Sequence, residues 1–106
     1  MQAPRAALAG VGLFLGLLSL YGLTMPRTVT LEDSGQLILV AHTAGVAHPP
    51  GYPLFALVGW LFTRLPVGSP AVPVHLLSAT AGAAACVALW RVGVRLGARS
   101  DAAWTW

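Results

Sequence analysis

Residues 6–24 read AALAGVGLFLGLLSLYGLT, a stretch without a charged side chain. An α-helix needs about 20 apolar residues to cross the roughly 30 Å hydrocarbon core of a bilayer. The stretch therefore predicts a first transmembrane helix over 6–24. A cleaved signal peptide is the competing interpretation, because Arg5 precedes the apolar core. The residues that follow, Tyr21–Pro26, lack the small-residue pattern of a cleavage site, which favours the membrane anchor.

The amino-acid composition is typical of a protein that lies in lipid rather than in water. Of the 106 residues, 57% are hydrophobic and 8% are charged, whereas about a quarter of the residues in a soluble domain are charged. The net charge of +3 comes from scattered arginines without a basic run, which argues against a nucleic-acid partner. The single cysteine, Cys86, permits neither a disulfide framework nor a paired-cysteine metal site, and we expect no metal and no cofactor.

A second apolar stretch over 72–96 predicts a second transmembrane helix. Small side chains are dense in its middle, namely Ser78, Ala79, Gly82, Ala83 and Ala85. Small residues let transmembrane helices approach one another closely, so we expect further helices as neighbours. His75 is a polar residue at membrane depth, where such residues usually face protein. We interpret it as a helix-packing residue.

The arginines indicate the orientation of the two spans. Arg5, Arg91, Arg95 and Arg99 lie on the terminal sides of the spans, and Arg27 and Arg64 lie between them. Because short cytoplasmic segments carry the excess of arginine and lysine, both termini are predicted to be cytoplasmic. The connecting loop 25–71 is then on the outer side, which is the outer face of the plasma membrane if the protein is prokaryotic.

The first part of the loop predicts a short interfacial helix over about 33–47. Asp33 stands where an N-cap residue is expected, and Gln36 follows three residues later, as in a capping box. On a helical wheel Asp33, Gln36 and Thr43 form a narrow polar strip, and apolar residues cover most of the remaining surface. We expect this helix to lie along the membrane surface.

The second part of the loop predicts a rigid turn followed by another short helix. The turn is His48–Pro53, in which three prolines restrict the backbone. Pro53 suits the first position of a helix over 53–65. At 1.5 Å per residue this helix is too short to cross a bilayer. We expect it at the interface, with Tyr52 near the lipid headgroups.

Few residues of the loop can act as an acid or a base. Glu32 and Asp33 are its only acids. Capping is the simpler role for Asp33, although capping and catalysis can coexist. His42 and His48 lack the spacing of metal ligands, and backbone partners are the favoured interpretation for both. The two loop arginines can either hold a phosphate bidentately or extend towards lipid headgroups.

Three motifs of this chain are similar to motifs of a known protein family: DSGQ at 33–36, GVAHPPGYPL at 45–54 and LLSA at 76–79. In this order they resemble the amino-terminal part of the protein O-mannosyltransferase-like membrane proteins of the GT-C glycosyltransferase superfamily. The resemblance covers roughly residues 26–96. It implies an all-α membrane fold with many spans. It also implies an enzyme that moves a sugar, such as mannose, from a polyprenyl-phosphate carrier to a hydroxyl of a protein, lipid or glycan.

The resemblance also implies roles for individual residues. Asp33 matches the acidic position of the family's first outer loop and would act as general base in an inverting displacement. The candidate substrate-binding residues are His48, Arg27, Arg64, Gln36 and Tyr52. The chain departs from the family pattern at Gln36, where glutamate is more common, and at His75, where asparagine is more common. The first departure removes a carboxylate beside Asp33.

Two transmembrane helices are too few to form a cleft that binds a lipid-linked sugar. The chain is therefore predicted to be the amino-terminal fragment of a longer enzyme, with 97–106 starting the next segment, and to be inactive alone. Its expected partners are membrane lipid, the lipid-linked donor, the acceptor and further transmembrane helices. One alternative is a small non-enzymatic membrane protein that packs against partner helices. Half of a transporter is a weaker alternative, because the sequence lacks discontinuous helices and intramembrane charges.

Overall fold

A computed structural model describes residues 2–30 and 32–97, with side chains from Pro4 onward. Four helices follow one another there: α1 (Gln2–Thr24), α2 (Ser34–Thr43), α3 (Pro53–Phe62) and α4 (Ala71–Gly97). No strand occurs in these two ranges, and the predicted all-α fold is confirmed. Of the predicted next segment, 97–106, Gly97 is the last residue of α4, and 98–106, including Arg99, lie outside the described residues.

Helices α1 and α4 are both long and apolar enough to cross a membrane. They pack side by side and antiparallel. Near one end, a Cβ atom on Gly10 would lie 3.3 Å from the ring of Trp90; near the other, a Cβ atom on Gly82 would lie 3.5 Å from the ring of Tyr21. This pairing buries only 6% of the apolar window of α1. Most of its surface is thus left for lipid or further helices.

Helices α2 and α3 pack against each other and against the start of α4. Buried residues form two clusters, one of Ile38, Ala41, Ala71 and Val74 with Phe55 against it, and one of Val40, Ala47 and Ala56 with Leu37 against it. The closest approach is at Gly59, where a Cβ atom would lie 2.7 Å from the Cβ atom of Ala41. Glycine is therefore required for this helix spacing. Within the described ranges, α1 packs against α4 alone.

The two short helices end earlier than the sequence predicted. Helix α2 ends at Thr43 rather than at 47, because Ala44 adopts a left-handed conformation with φ +50°. The N–H of Gly45 then donates to the carbonyl of Val40 at 3.0 Å, which is the bond of a Schellman termination. Helix α3 ends at Phe62 rather than at 65.

Candidate active site at the head of helix α2

Asp33 stands at the N-cap position of α2, but its side chain does not cap the helix. The carboxylate accepts no hydrogen bond from the first turn, so the predicted capping box is wrong. The side chain is 69% exposed. Gln36, one turn further along, is exposed as well. The carboxylate at this helix end is thus available to another partner.

That partner is His48, which lies in the turn between α2 and α3. Its Nε2 is 3.6 Å from Oδ2 of Asp33, an ion-pair distance rather than a hydrogen bond. Its Nδ1 is 3.1 Å from the carbonyl of Pro49. Since a carbonyl oxygen only accepts, Nδ1 carries a proton in this geometry. Nε2 is then the ring nitrogen that faces the carboxylate.

Backbone strain is concentrated around this pair. Glu32, immediately before Asp33, has φ +63°, and Tyr52, after Gly51 at φ +92°, has φ +48°. A left-handed conformation costs a non-glycine residue about 1–2 kcal/mol, and such strain clusters at functional sites. The strained turn sets the Tyr52 ring edge-on to the His48 ring, with centroids 5.6 Å apart and planes at 86°. This contact fixes the orientation of the His48 imidazole.

The two predicted phosphate-binding arginines are not brought to this pair. The guanidinium of Arg27 donates to the carbonyl of Gly22 at 3.0 Å and so caps the end of α1. The guanidinium of Arg64 lies over the ring of Trp60, 4.3 Å from its centroid, in a cation–π contact. Neither arginine forms an ion pair with Asp33 in the described part of the chain.

A polar part of α4 lies close to this end of the molecule. The sequence had predicted no substrate role for it. Nε2 of His75 is 3.2 Å from the carbonyl of Thr28 and ties α4 to the segment after α1. His75 and Ser78 line a cavity of about 180 Å³ that reaches Ser34 at the start of α2. They also line a cavity of about 360 Å³ between α1 and α4. The sequence signal that could have indicated these cavities is the presence of polar residues within a predicted span.

Comparison with known proteins places the chain in a family. The family described as the protein O-mannosyl-transferase TMEM260 N-terminal domain matches residues 33–104. The chain belongs to this family. The matched region starts at Asp33 and includes the turn that carries His48, so both members of the pair lie within this N-terminal domain.

Two relatives carry the same description. The mouse protein O-mannosyl-transferase TMEM260 is 47% identical over 87 residues, which are 81% of this chain and 12% of the mouse protein. The protein O-mannosyl-transferase tmem260 of Dictyostelium discoideum is 47% identical over 53 residues, which are 50% of this chain and 6% of that protein. The chain thus spans only a small part of these relatives. No solved structure matches the chain.

Proposed function

We propose that this chain is the amino-terminal membrane part of a glycosyltransferase that moves a mannosyl group from a polyprenyl-phosphate carrier to a protein hydroxyl. Asp33 is its general base. The family and the names of the two relatives support the transferase class. The proposed role of Asp33 rests on one observation. Its exposed carboxylate makes no cap hydrogen bond to the first turn of α2, and it faces His48.

The proposed reaction is a single displacement at the anomeric carbon of the sugar. The acceptor oxygen forms a bond to that carbon as the bond to the phosphate oxygen breaks, and the electron pair leaves with the phosphate. The hydroxyl proton passes to the Asp33 carboxylate. A general base must come within about 2.6–3.2 Å of the proton-bearing oxygen, and the exposed carboxylate has the room to do so.

His48 acts as a positioning residue in this proposal. It faces Oδ2 of Asp33, which leaves Oδ1 as the oxygen that meets the acceptor. The contact with His48 therefore orients the carboxylate for the acceptor.

The proposed membrane arrangement rests on the lengths of the helices and on the distribution of the arginines along the sequence. Helices α1 and α4 cross the bilayer with both termini in the cytoplasm, and α2 and α3 lie at the outer surface. A donor held by its polyprenyl tail stays in the membrane plane, so its sugar-phosphate is presented at the height of Asp33. The matched residues are only 12% of the mouse relative, and we propose that further helices of the full-length protein complete the donor cleft.

The small non-enzymatic membrane protein is less well supported. That alternative requires the small residues of α4 to face a partner protein. In the structure Ala79 and Ala83 are buried, and Gly82 faces Tyr21 of α1. These three residues of α4 are therefore used for packing inside the chain, whereas Ser78 and Ala85 are exposed.

The decisive experiment replaces Asp33 in the full-length protein. Asp33→Asn removes the base but keeps the side-chain shape, and transfer of mannose from a polyprenyl-phosphate donor to an acceptor peptide should fall by about 10²–10⁴-fold. The matched control is Glu32→Gln, which makes the same chemical change one residue earlier and should leave transfer near wild type. Undiminished transfer by Asp33→Asn excludes Asp33 as the base.

A further inference from the structure

At the end of the molecule remote from Asp33, α1 and α4 enclose a basic cleft. It has a volume of about 290 Å³ and is lined by Ala6, Ala7, Trp90, Arg91, Val94 and Arg95. The alanines leave space on the α1 side, and the two arginines stand one turn apart on α4. Neither arginine has a carboxylate partner within residues 2–30 and 32–97. The cleft therefore presents two positive charges without a compensating acid from these ranges.

An apolar groove continues from the cleft towards the middle of the helix pair. It has a volume of about 250 Å³ and is lined by Gly10, Val11, Phe14, Ala84, Val87 and Arg91. The residues that line the cleft and the groove recur at spacings of three and four on each helix, so both lie on one side of the pair. Arg91 lines both cavities. A positive group thus stands where the polar cleft meets the apolar groove.

The position of the cleft along α4 matches the headgroup level of a bilayer. His75, which bonds to Thr28, marks the opposite polar end of the helix pair. From His75 to Arg95 the helix rises by about 30 Å at 1.5 Å per residue, which is the thickness of a hydrocarbon core. Arg95 consequently stands at the headgroups of the leaflet opposite Asp33, Arg91 stands about 6 Å deeper, and the groove runs below them into hydrocarbon.

We propose that the cleft and the groove together bind one anionic phospholipid. Arg91 and Arg95 hold its phosphate, because guanidinium groups bind phosphate oxygens bidentately. An acyl chain lies in the groove between α1 and α4. Trp90 stands beside the headgroup, at the depth where indole rings are favoured. A soluble anion would fill the cleft but not the groove, so the apolar part identifies a lipid. This proposal is independent of the role of Asp33.

The test uses the full-length protein, purified in mild detergent with equal amounts of phosphatidylglycerol and phosphatidylcholine, and native mass spectrometry to count retained lipids. Wild type should retain phosphatidylglycerol in preference. Arg91→Gln with Arg95→Gln should reduce its retention by about fivefold for each arginine. The matched control is Arg5→Gln, which removes a charge from α1 outside the cleft and should retain the lipid. An equal loss in this control would show diffuse charge attraction and overturn the site.

A second pair of variants tests the acyl-chain groove with both arginines intact. Ala84→Phe fills the groove from an exposed position, whereas Ala81→Phe adds the same bulk to an exposed position outside it. Only the first should lower phosphatidylglycerol retention. Arg91→Lys with Arg95→Lys keeps the charge and should retain most of the lipid, which separates charge loss from misfolding. Unchanged retention in the double glutamine variant, or full displacement by millimolar inorganic phosphate, would overturn the proposal.

Discussion

Oδ2 of Asp33 lies 3.6 Å from Nε2 of His48, although the whole of helix α2 separates the two residues in the chain. Local sequence predicts a cap for Asp33 and a backbone partner for His48. The histidine does have a backbone partner, the carbonyl of Pro49, through its other ring nitrogen. The aspartate has no cap bond. The contact is therefore tertiary, and it joins the DSGQ segment to the HPPGYP turn.

The first prediction concerns the coupling of this pair. His48→Gln in the full-length protein should lower mannose transfer by about fivefold, because an exposed ion pair contributes up to about 1 kcal/mol. Adding His48→Gln to Asp33→Asn should lower transfer no further, since both changes remove the same interaction. His42→Gln, an exposed histidine in the last turn of α2, is the control and should leave transfer unchanged. Additive losses in the double variant would contradict the coupling.

The second prediction concerns the strained turn. Tyr52→Asn should raise the free energy of unfolding by up to about 1 kcal/mol, because asparagine tolerates the left-handed conformation better than tyrosine. It should also lower transfer, because the ring that contacts His48 is lost. Tyr52→Phe keeps both the ring and the strain, and it should match wild type in thermal unfolding and in transfer. A Tyr52→Asn protein with full activity would show that the ring does not position His48.

The third prediction concerns the packing of α2 against α3. Gly59→Ala places a Cβ atom 2.7 Å from that of Ala41 and should destabilise the protein by about 1–3 kcal/mol, as overpacking does. Gly16→Ala on α1, where nothing lies within 4 Å, should be neutral or stabilising, because alanine favours a helix over glycine. Thermal unfolding of the purified full-length protein measures both. Equal melting temperatures for the two variants would contradict the packing argument.

The fourth prediction concerns orientation in the membrane. In a Cys86→Ala background, a membrane-impermeant maleimide added on the non-cytoplasmic side should label Gln36→Cys. Leu96 is 64% exposed at the far end of α4. The same reagent should label Leu96→Cys only after the membrane is permeabilised. Labelling of position 96 on intact membranes would reverse the proposed topology and place Asp33 on the cytoplasmic side.

The long helices could be predicted from sequence because their signal is local. An uninterrupted apolar stretch of membrane length is sufficient, and the observed α1 and α4 include the predicted ranges 6–24 and 72–96. The early end of α2 was missed because the apolar pattern continues to Ala47, which is buried although it lies beyond the helix. Gly45 was the local signal that could have marked this end.

The candidate site was only partly predictable. Asp33 was identified through its resemblance to a family position, not through its bonding. The missing cap could not be predicted, because the choice between a backbone N–H and a distant imidazole depends on how the chain folds. The same holds for Arg27 and Arg64. Their charge suggested a phosphate, whereas the structure gives them partners five and four residues away in the chain, Gly22 and Trp60.

The burial of α2 against the start of α4 joins residues that are synthesised at different times. Ala71 and Val74 of α4 complete the cluster that buries Ile38 of α2. A nascent chain that has inserted only its first span and the loop has no surface on which this cluster can close. Until then α2 is held only by its packing against α3 and the turn that precedes it. The cluster that joins α2 to α4 can therefore close only after the second long apolar helix has been synthesised.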